Sequence, residues 1–391
     1  MEKYDVTIIG AGLAGLQCAR LLARRGLRVL LADRKDALAN SIHTTGIFVR
    51  RTLEDFDIPE DCLGPVVKNV TLYSPARRRL ELVSAHAEFR IGKMARLYQR
   101  YLGQCLRDGV TWMPATRYGE HSRVGNRLLV RLENTHDRRA SCWISTRYLV
   151  GADGATSTVA SDLQLDLNRE WIVGVEDVFT GVPLVGPPML HCFLDAEIAP
   201  GYLAWIAHDG DDTHIGVGGY AAMFEPVRAL DKLKASLGGI VDLSSATHLE
   251  RRGGRIPVGG VLRNIANTSG LLLGDAAGAV SPLTAGGLDP CMRLSTLAAQ
   301  VIPAFLESED VEVLRHYSGE LFRARFASRL WMRRLVANIR HPALIEIACA
   351  SLRLPVLNSF ARHVFFGRGS FPDLQAPASS YVGADPCVRP G

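Results

Sequence analysis

Residues 4 to 34 read "YDVTIIGAGLAGLQCARLLARRGLRVLLADR": a short β-rich run, a glycine turn, an amphipathic helix and a second apolar strand. That succession is a complete βαβ unit and predicts an α/β chain with a parallel sheet at its start. Gly10, Gly12 and Gly15 are spaced as GxGxxG. The first permits a tight turn, the second lets a pyrophosphate approach the backbone, and the third lets the helix pack closely on the strand. Leu13 and Ala14 follow at the helix start, whose free N–H groups and positive dipole end suit a diphosphate. Asp33, with Arg34 beside it, closes the second strand where a carboxylate accepts hydrogen bonds from an adenosine ribose. The unit points to an adenine dinucleotide and leaves open which one.

Composition narrows the remaining classes. The chain has 391 residues, 47 % hydrophobic and 22 % charged, enough for two or three well-buried domains of an ordinary globular protein. No uninterrupted apolar run approaches the roughly 20 residues of a spanning helix, and the N-terminus lacks the pattern of a secretory signal. The expected location is cytoplasmic, or at most membrane-associated. Eight cysteines lie at 18, 62, 105, 142, 192, 291, 349 and 387, without a CxxC pair or a histidine cluster, so a reduced protein without a metal is expected. The net charge of +5 comes from dispersed arginines, and no lysine tract with interleaved aromatics marks a nucleic-acid groove. The run Arg77, Arg78 and Arg79 reads as a solvated turn between strands.

Two further strand ends carry Gly/Asp pairs. "YLVGADGATSTVA" (148 to 160) holds Asp153 and Gly154, and "GLLL" is followed at 274 to 290 by "GDAAGAVSPLTAGGLDP", with Gly274 and Asp275. The GxGxxG, "GADGxxSxV" and "GDAA…P" motifs, in that order, resemble the p-hydroxybenzoate hydroxylase-like superfamily of FAD enzymes. The resemblance implies FAD as cofactor and an FAD-binding Rossmann-like domain of the glutathione-reductase type, interleaved with an antiparallel β-sheet substrate domain. It implies that Asp275 takes a ribitol hydroxyl, that Pro282, Gly286 and Gly287 border the isoalloxazine ring, where glycine backbone comes close to a flat ring, and that Leu288 belongs to the same cofactor-binding stretch. Arg96, in "GKMARLYQRYLGQCL", stands where related enzymes have an Arg that contacts the FAD diphosphate or ribose.

Within that superfamily, aromatic hydroxylases typically read GDAAH, and this chain has Gly278 in place of the His. GDAAG…PLTAGG is similar to the geranylgeranyl reductases, flavoenzymes that hydrogenate isoprenoid double bonds. "PGYLAWI" (200 to 206) resembles their PxxYxWxFP motif, and with "GRIPVGG" (254 to 260) the resemblance spans roughly residues 4 to 305. The chain departs from the family in Ile206 and Ala207, which replace Phe-Pro, and in "SIHTTGI", which has no Cys beside the flavin. No lysine suits a halogenase tunnel. The resemblance implies a reductase or dehydrogenase that transfers hydride between flavin N5 and an apolar, isoprenoid-like alkene. The alternative is a monooxygenase working through a C4a-hydroperoxyflavin; a purely structural flavin is a third class. No second nucleotide fingerprint is present, so NAD(P)H, if it is the reductant, docks transiently.

The loop "DALANSIHTTGIFVRR" (36 to 51) is expected to run along the ring, with His43, Thr44, Thr45 and Gly46 near N5. His43 is the side chain there whose ordinary pKa suits proton transfer near neutrality. Tyr202 and Trp205 read as strand residues three apart, which would point to opposite faces, so one of them is expected to line the substrate pocket. His191 is expected to face the same cavity. The predicted FAD-binding domain comprises residues 1–70, 91–160 and 253–305, the sheet domain 71–90 and 161–252, and the C-terminal helical region and tail 306–391. That last region alternates arginines with apolar residues at helical spacing, which suits peripheral contact with an anionic membrane as well as simple packing with a solvated face.

Overall fold

The computed structural model describes residues 1–40, 42–137, 139–183 and 186–367; the predicted tail at 368–391 lies outside the described residues. The βαβ unit forms as read, with strand Lys3–Ile9, helix Leu13–Ala23 and strand Val29–Ala32. Strand Lys3–Ile9 pairs in parallel with Val29–Ala32 on one side and with Ser141–Gly151 on the other. Gly270–Leu272 adds to Ser141–Gly151, also in parallel. The register sets Ile9 opposite both Ala32 and Gly151, and Gly151 opposite Leu272. The chain therefore leaves four neighbouring strands at one edge, and Gly10, Asp33, Asp153 and Gly274 follow within one or two residues. A ligand crevice outside the carboxyl ends of parallel strands is the general consequence of this architecture.

Gly15 lets the first helix close on this edge, because a Cβ there would stand 1.9 Å from the Gly10 carbonyl oxygen. The helix Leu288–Ser308 lies against it, and the buried Ser295 hydroxyl donates to the Ala14 carbonyl at 3.0 Å.

The second sheet has seven strands and is antiparallel except where Asn69–Tyr73 joins Met189–Phe193 in parallel. Its centre is Trp171–Thr180, Asp212–Gly219 and Ala204–His208. The edge strand Thr247–Pro257 runs through the predicted boundary at 252/253. Gly253 and Gly254 look like a break in sequence, yet they stay in register with Val175 and Gly174, where a Cβ on Gly253 would come within 3.1 Å of the Gly174 carbonyl. Past this sheet the chain is helical at Gly319–Arg325, Ala327–Asn338, Pro342–Ser351 and Pro355–Phe366. The last two helices carry their prolines at the first turn, where no intrahelical N–H is lost.

Candidate active site

A cavity of about 1200 Å³ runs from the strand ends to the second sheet and on to the C-terminal helices. At its first end lie Gly10, Gly12, Leu13 and Ala14 with Asp33 and Arg34. Asp33 is fixed by the backbone, its two oxygens accepting from the Ala11 N–H at 2.6 Å and the Lys35 N–H at 2.9 Å. Gly12 faces open space, with nothing within 4 Å of the position a Cβ would take. Asp153 and Gly154 also line the cavity. The Asp153 carboxylate turns back to cap the helix that follows, accepting from the Ser157 hydroxyl at 2.6 Å and the Thr158 N–H at 2.8 Å.

Asp275 is different, since no hydrogen bond to its carboxylate is made within the described chain. Burial pushes its pKa up to about 6. Gly274 precedes it in a left-handed conformation, φ +54°, and the loop continues along the cavity through Gly286, Gly287 and Leu288, at the N-terminus of the long helix. A carboxylate without donors, an open approach over Gly12 and glycine backbone along a flat-walled cavity fit FAD, with Asp275 to hold ribitol hydroxyls, Gly12 to admit the diphosphate and Asp33 to meet the ribose. In the absence of ligand, a buried acid with a raised pKa costs stability above about pH 6. Asp275→Asn is therefore expected to stabilise the apoprotein at pH 8 by on the order of 2 kcal/mol and to weaken FAD binding about tenfold. Thermal melts of apoprotein and fluorimetric FAD titration check the two opposite signs.

His43, Thr44, Thr45 and Gly46 all line the cavity. The His43 Nδ1–H donates to the Gly253 carbonyl at 3.1 Å, and burial lowers its pKa, so the ring is neutral near pH 7. The Thr45 hydroxyl donates to Glu176, a cavity residue that the sequence reading missed. Glu176 also accepts from the Trp205 indole N–H at 3.0 Å and from His214 Nδ1 at 3.1 Å. His214 reaches Asp209 with its other nitrogen at 3.3 Å. Two carboxylates on the two ring nitrogens require both to be protonated, so His214 is an imidazolium. Burial alone would lower its pKa, but Glu176 and Asp209 outweigh it and push the value up to about 9. Burial would likewise raise Glu176; the His214 charge and the donors on the carboxylate hold it below the usual range. The adjacent acids Glu176 and Asp177 in an otherwise apolar strand were the available signal.

Several expected positions differ. Arg96 is exposed and donates to the Asp61 carbonyl at 2.8 Å; the helix Met94–Arg107 turns Met94, Leu97 and Tyr98 inward, and Tyr98 lines the cavity instead. A residue two places from Met94 lies on the opposite helical face. His191 also points away, bonding the Tyr73 hydroxyl at 3.0 Å, with burial pulling its pKa to about 4. Strand alternation puts its neighbours Leu190 and Cys192 on the cavity. Tyr202 and Trp205 both line it, with rings 6.5 Å apart at 69°, because Tyr202 precedes the strand Ala204–His208 and strand alternation does not bind it. Pro282 is buried behind the loop and does not line the cavity. Gly278 is also away from it: its φ is +66° and a Cβ would lie 2.7 Å from the Gly260 carbonyl, so the turn itself requires glycine. Asp289 accepts from Thr52 at 2.9 Å and from the fully buried Arg293 at 2.9 Å, which ties the loop helix to the helix Arg50–Asp55.

The chain matches the family described as "FAD binding domain" over residues 3–333. It is 24% identical over 324 residues to the digeranylgeranylglycerophospholipid reductase of Methanocaldococcus jannaschii, covering 81% of this chain and 81% of that protein. Its fold is similar to that of a geranylgeranyl bacteriochlorophyll reductase-like protein from Thermoplasma acidophilum, with a TM-score of 0.81 at 19% identity over 94% of this chain and 96% of the other. The p-nitrophenol 4-monooxygenase of Pseudomonas putida gives a TM-score of 0.70 at 14% identity, covering 95% and 100%. With the family match extending across the dinucleotide edge, the second sheet and the first C-terminal helices, this chain belongs to the FAD binding domain family and takes FAD as its cofactor.

Proposed function

We propose that this FAD-dependent oxidoreductase is a reductase that hydrogenates carbon–carbon double bonds of an apolar, isoprenoid-like substrate taken from a membrane surface. The observation that carries this reading is the far half of the cavity, an apolar chamber walled by Leu190, Cys192, Leu203, Trp205, Val364 and Phe365. The reductase relatives support it. FAD supplies hydride transfer. The chain lines the chamber with apolar side chains, positions Trp205 through Glu176, and keeps His43 neutral; we assign His43 to proton delivery to the reacting alkene. NAD(P)H is the proposed reductant, docking from solvent.

The decisive experiment is anaerobic turnover with NAD(P)H and a geranylgeranyl alkene, followed by mass and by an oxygen electrode when air is admitted. The expected result is a gain of hydrogen in the substrate without oxygen consumption; oxygen uptake coupled to hydroxylated product means a monooxygenase. His43→Ala is expected to slow the substrate step about tenfold or more while leaving flavin reduction unchanged. Equal rates in both half-reactions remove His43 from the chemistry.

The C-terminal helices supply the surface. Trp331 is 73% exposed, Ile347 65% and Val356 80%, on three successive helices. Among the described residues no single helix is long and apolar enough to cross a membrane, and the pair Pro342–Ser351 and Pro355–Phe366 is bent by 101°. Such a bent pair suits lying in an interface, with Arg340, Arg353 and Arg362 nearby in sequence to meet anionic lipid. Cosedimentation with anionic vesicles is expected, weakened by Trp331→Ala with Val356→Ser. Absence of binding to either neutral or anionic vesicles ends the membrane reading.

A further inference from the structure

Arg329 and Arg333 stand one turn apart on the helix Ala327–Asn338, and both line the cavity together with Phe326, Met332 and Val336. Spacing of three and four places these side chains on one face. Arg333 is 3% exposed. Its guanidinium lies over Tyr202 and Tyr220, 5.4 Å and 5.1 Å from the two ring centroids, and its Nε donates to the Tyr220 hydroxyl at 3.3 Å. The two rings fix the plane of the fork. Its Nη2 is buried without a hydrogen-bond acceptor among the described residues. Arg329 donates to the Ser281 hydroxyl at 3.3 Å and burial lowers its pKa. The acid that acts on it, Asp289, is already engaged by Arg293 and Thr52. Neither arginine has a carboxylate within ion-pairing distance among the described residues.

Buried charge is normally paired, and an orphaned guanidinium N–H in an apolar chamber is costly to keep. Arginine forks match the oxygens of carboxylate and phosphate groups. The diphosphate end of FAD belongs at Gly12, on the strand-end turn, whereas Arg329 and Arg333 meet Ser281, Tyr202 and Tyr220, so the cofactor's own phosphates do not account for this pair. The Thr284 hydroxyl donates to the Ser281 hydroxyl at 2.9 Å, which leaves the Ser281 O–H as a neutral donor on the facing loop.

We propose that Arg329 and Arg333 form an anion subsite at the substrate end of the cavity, built to take the carboxylate or phosphate terminus of an otherwise apolar ligand. The inference deepens the proposed function by adding a charged end to the apolar substrate, and it can be tested without any double bond. The FAD-loaded protein is titrated calorimetrically with dodecanol, dodecanoate and dodecyl phosphate, none of which can be hydrogenated at an alkene.

Both anions are expected to bind about tenfold or more tightly than the alcohol, as charge-assisted hydrogen bonds in a dry site allow, and the tighter of the two identifies the natural head group. Arg329→Gln and Arg333→Gln are each expected to bring the anions down towards the alcohol, with FAD content unchanged. Arg333 is packed between two tyrosines; if Arg333→Gln does not fold, Arg329→Gln on its less buried neighbour and Arg333→Lys, which keeps charge without the fork, carry the test. Equal binding of the three probes overturns the subsite and leaves the apolar reading standing. So does an anion preference that survives both substitutions, or a loss of FAD in place of a loss of preference. No binding of any probe overturns both readings.

Discussion

Gly12→Ala is expected to give a folded protein that holds FAD about ten- to a hundredfold more weakly, whereas Gly10→Ala is expected to give almost no folded protein. The two glycines are two residues apart in one motif and differ in what faces them. At Gly12 the backbone is at φ −68°, ψ −179°, which alanine adopts freely, and a Cβ meets nothing within 4 Å among the described residues. The new methyl projects into the space left for the diphosphate, so the overlap falls on the ligand, at a cost of about 1–3 kcal/mol of binding. At Gly10 the backbone is at φ +103° and a Cβ would stand 2.1 Å from the Ala152 carbonyl oxygen and 2.9 Å from the Asp153 nitrogen. Those are main-chain atoms of the neighbouring strand end and no side chain can turn aside, so the cost exceeds about 4 kcal/mol, beyond most single substitutions. Circular dichroism with FAD titration separates the cases. A folded Gly10→Ala, or a Gly12→Ala with full FAD affinity, contradicts the assignment of the strand-end turn to the diphosphate.

That contrast also shows what the sequence could reveal. The parallel edge was legible because each of its signals is local: strand, glycine turn and helix within 35 residues, then acids directly after apolar runs. The second sheet was legible as strands, and Asp275 as a carboxylate at the end of one. The substrate end was much less so. Thr45 and Glu176 are 131 residues apart and Glu176 and His214 are 38 apart, so their meeting depends on sheet pairing that no local pattern encodes. Arg329 and Arg333 were visible as helical arginines, but Arg333 is covered by Tyr202 and Tyr220, more than a hundred residues earlier. Tyr202 itself was assigned to a strand that begins two residues later. Arg96 failed for a simpler reason: a helix start fixes the phase of every following residue, and the phase was not known.

The protein is expected to lose about 3 kcal/mol of stability as pH rises from 6.5 to about 9, through the single imidazole of His214. The sign follows from the direction of the shift. A histidine whose folded pKa lies above its unfolded value binds its proton more tightly in the native state, so its contribution is complete below pH 6.5 and disappears as pH climbs through about 9. The groups around it set the window. Glu176 on the adjacent strand and Asp209 in the turn before its own strand favour the proton, while Arg252 stands 3.7 Å from Glu176 and His208 is pushed down by its own burial. Glu176→Gln keeps an acceptor for the Trp205 indole and removes the charge. It is expected to abolish most of the pH-dependent loss and to lower stability near pH 6.5 by about 2 kcal/mol, with one hydrogen bond to a buried charge weakened. Denaturant titrations at several pH values measure both. Because the same carboxylate holds Thr45 and Trp205 against the cavity, deprotonation of His214 leaves the buried Glu176 charge with Arg252 as its remaining cation, and the visible spectrum of bound FAD is expected to shift with the same midpoint. A spectrum that stays constant while stability falls would separate the buried ion pair from the flavin site and reduce its role to folding.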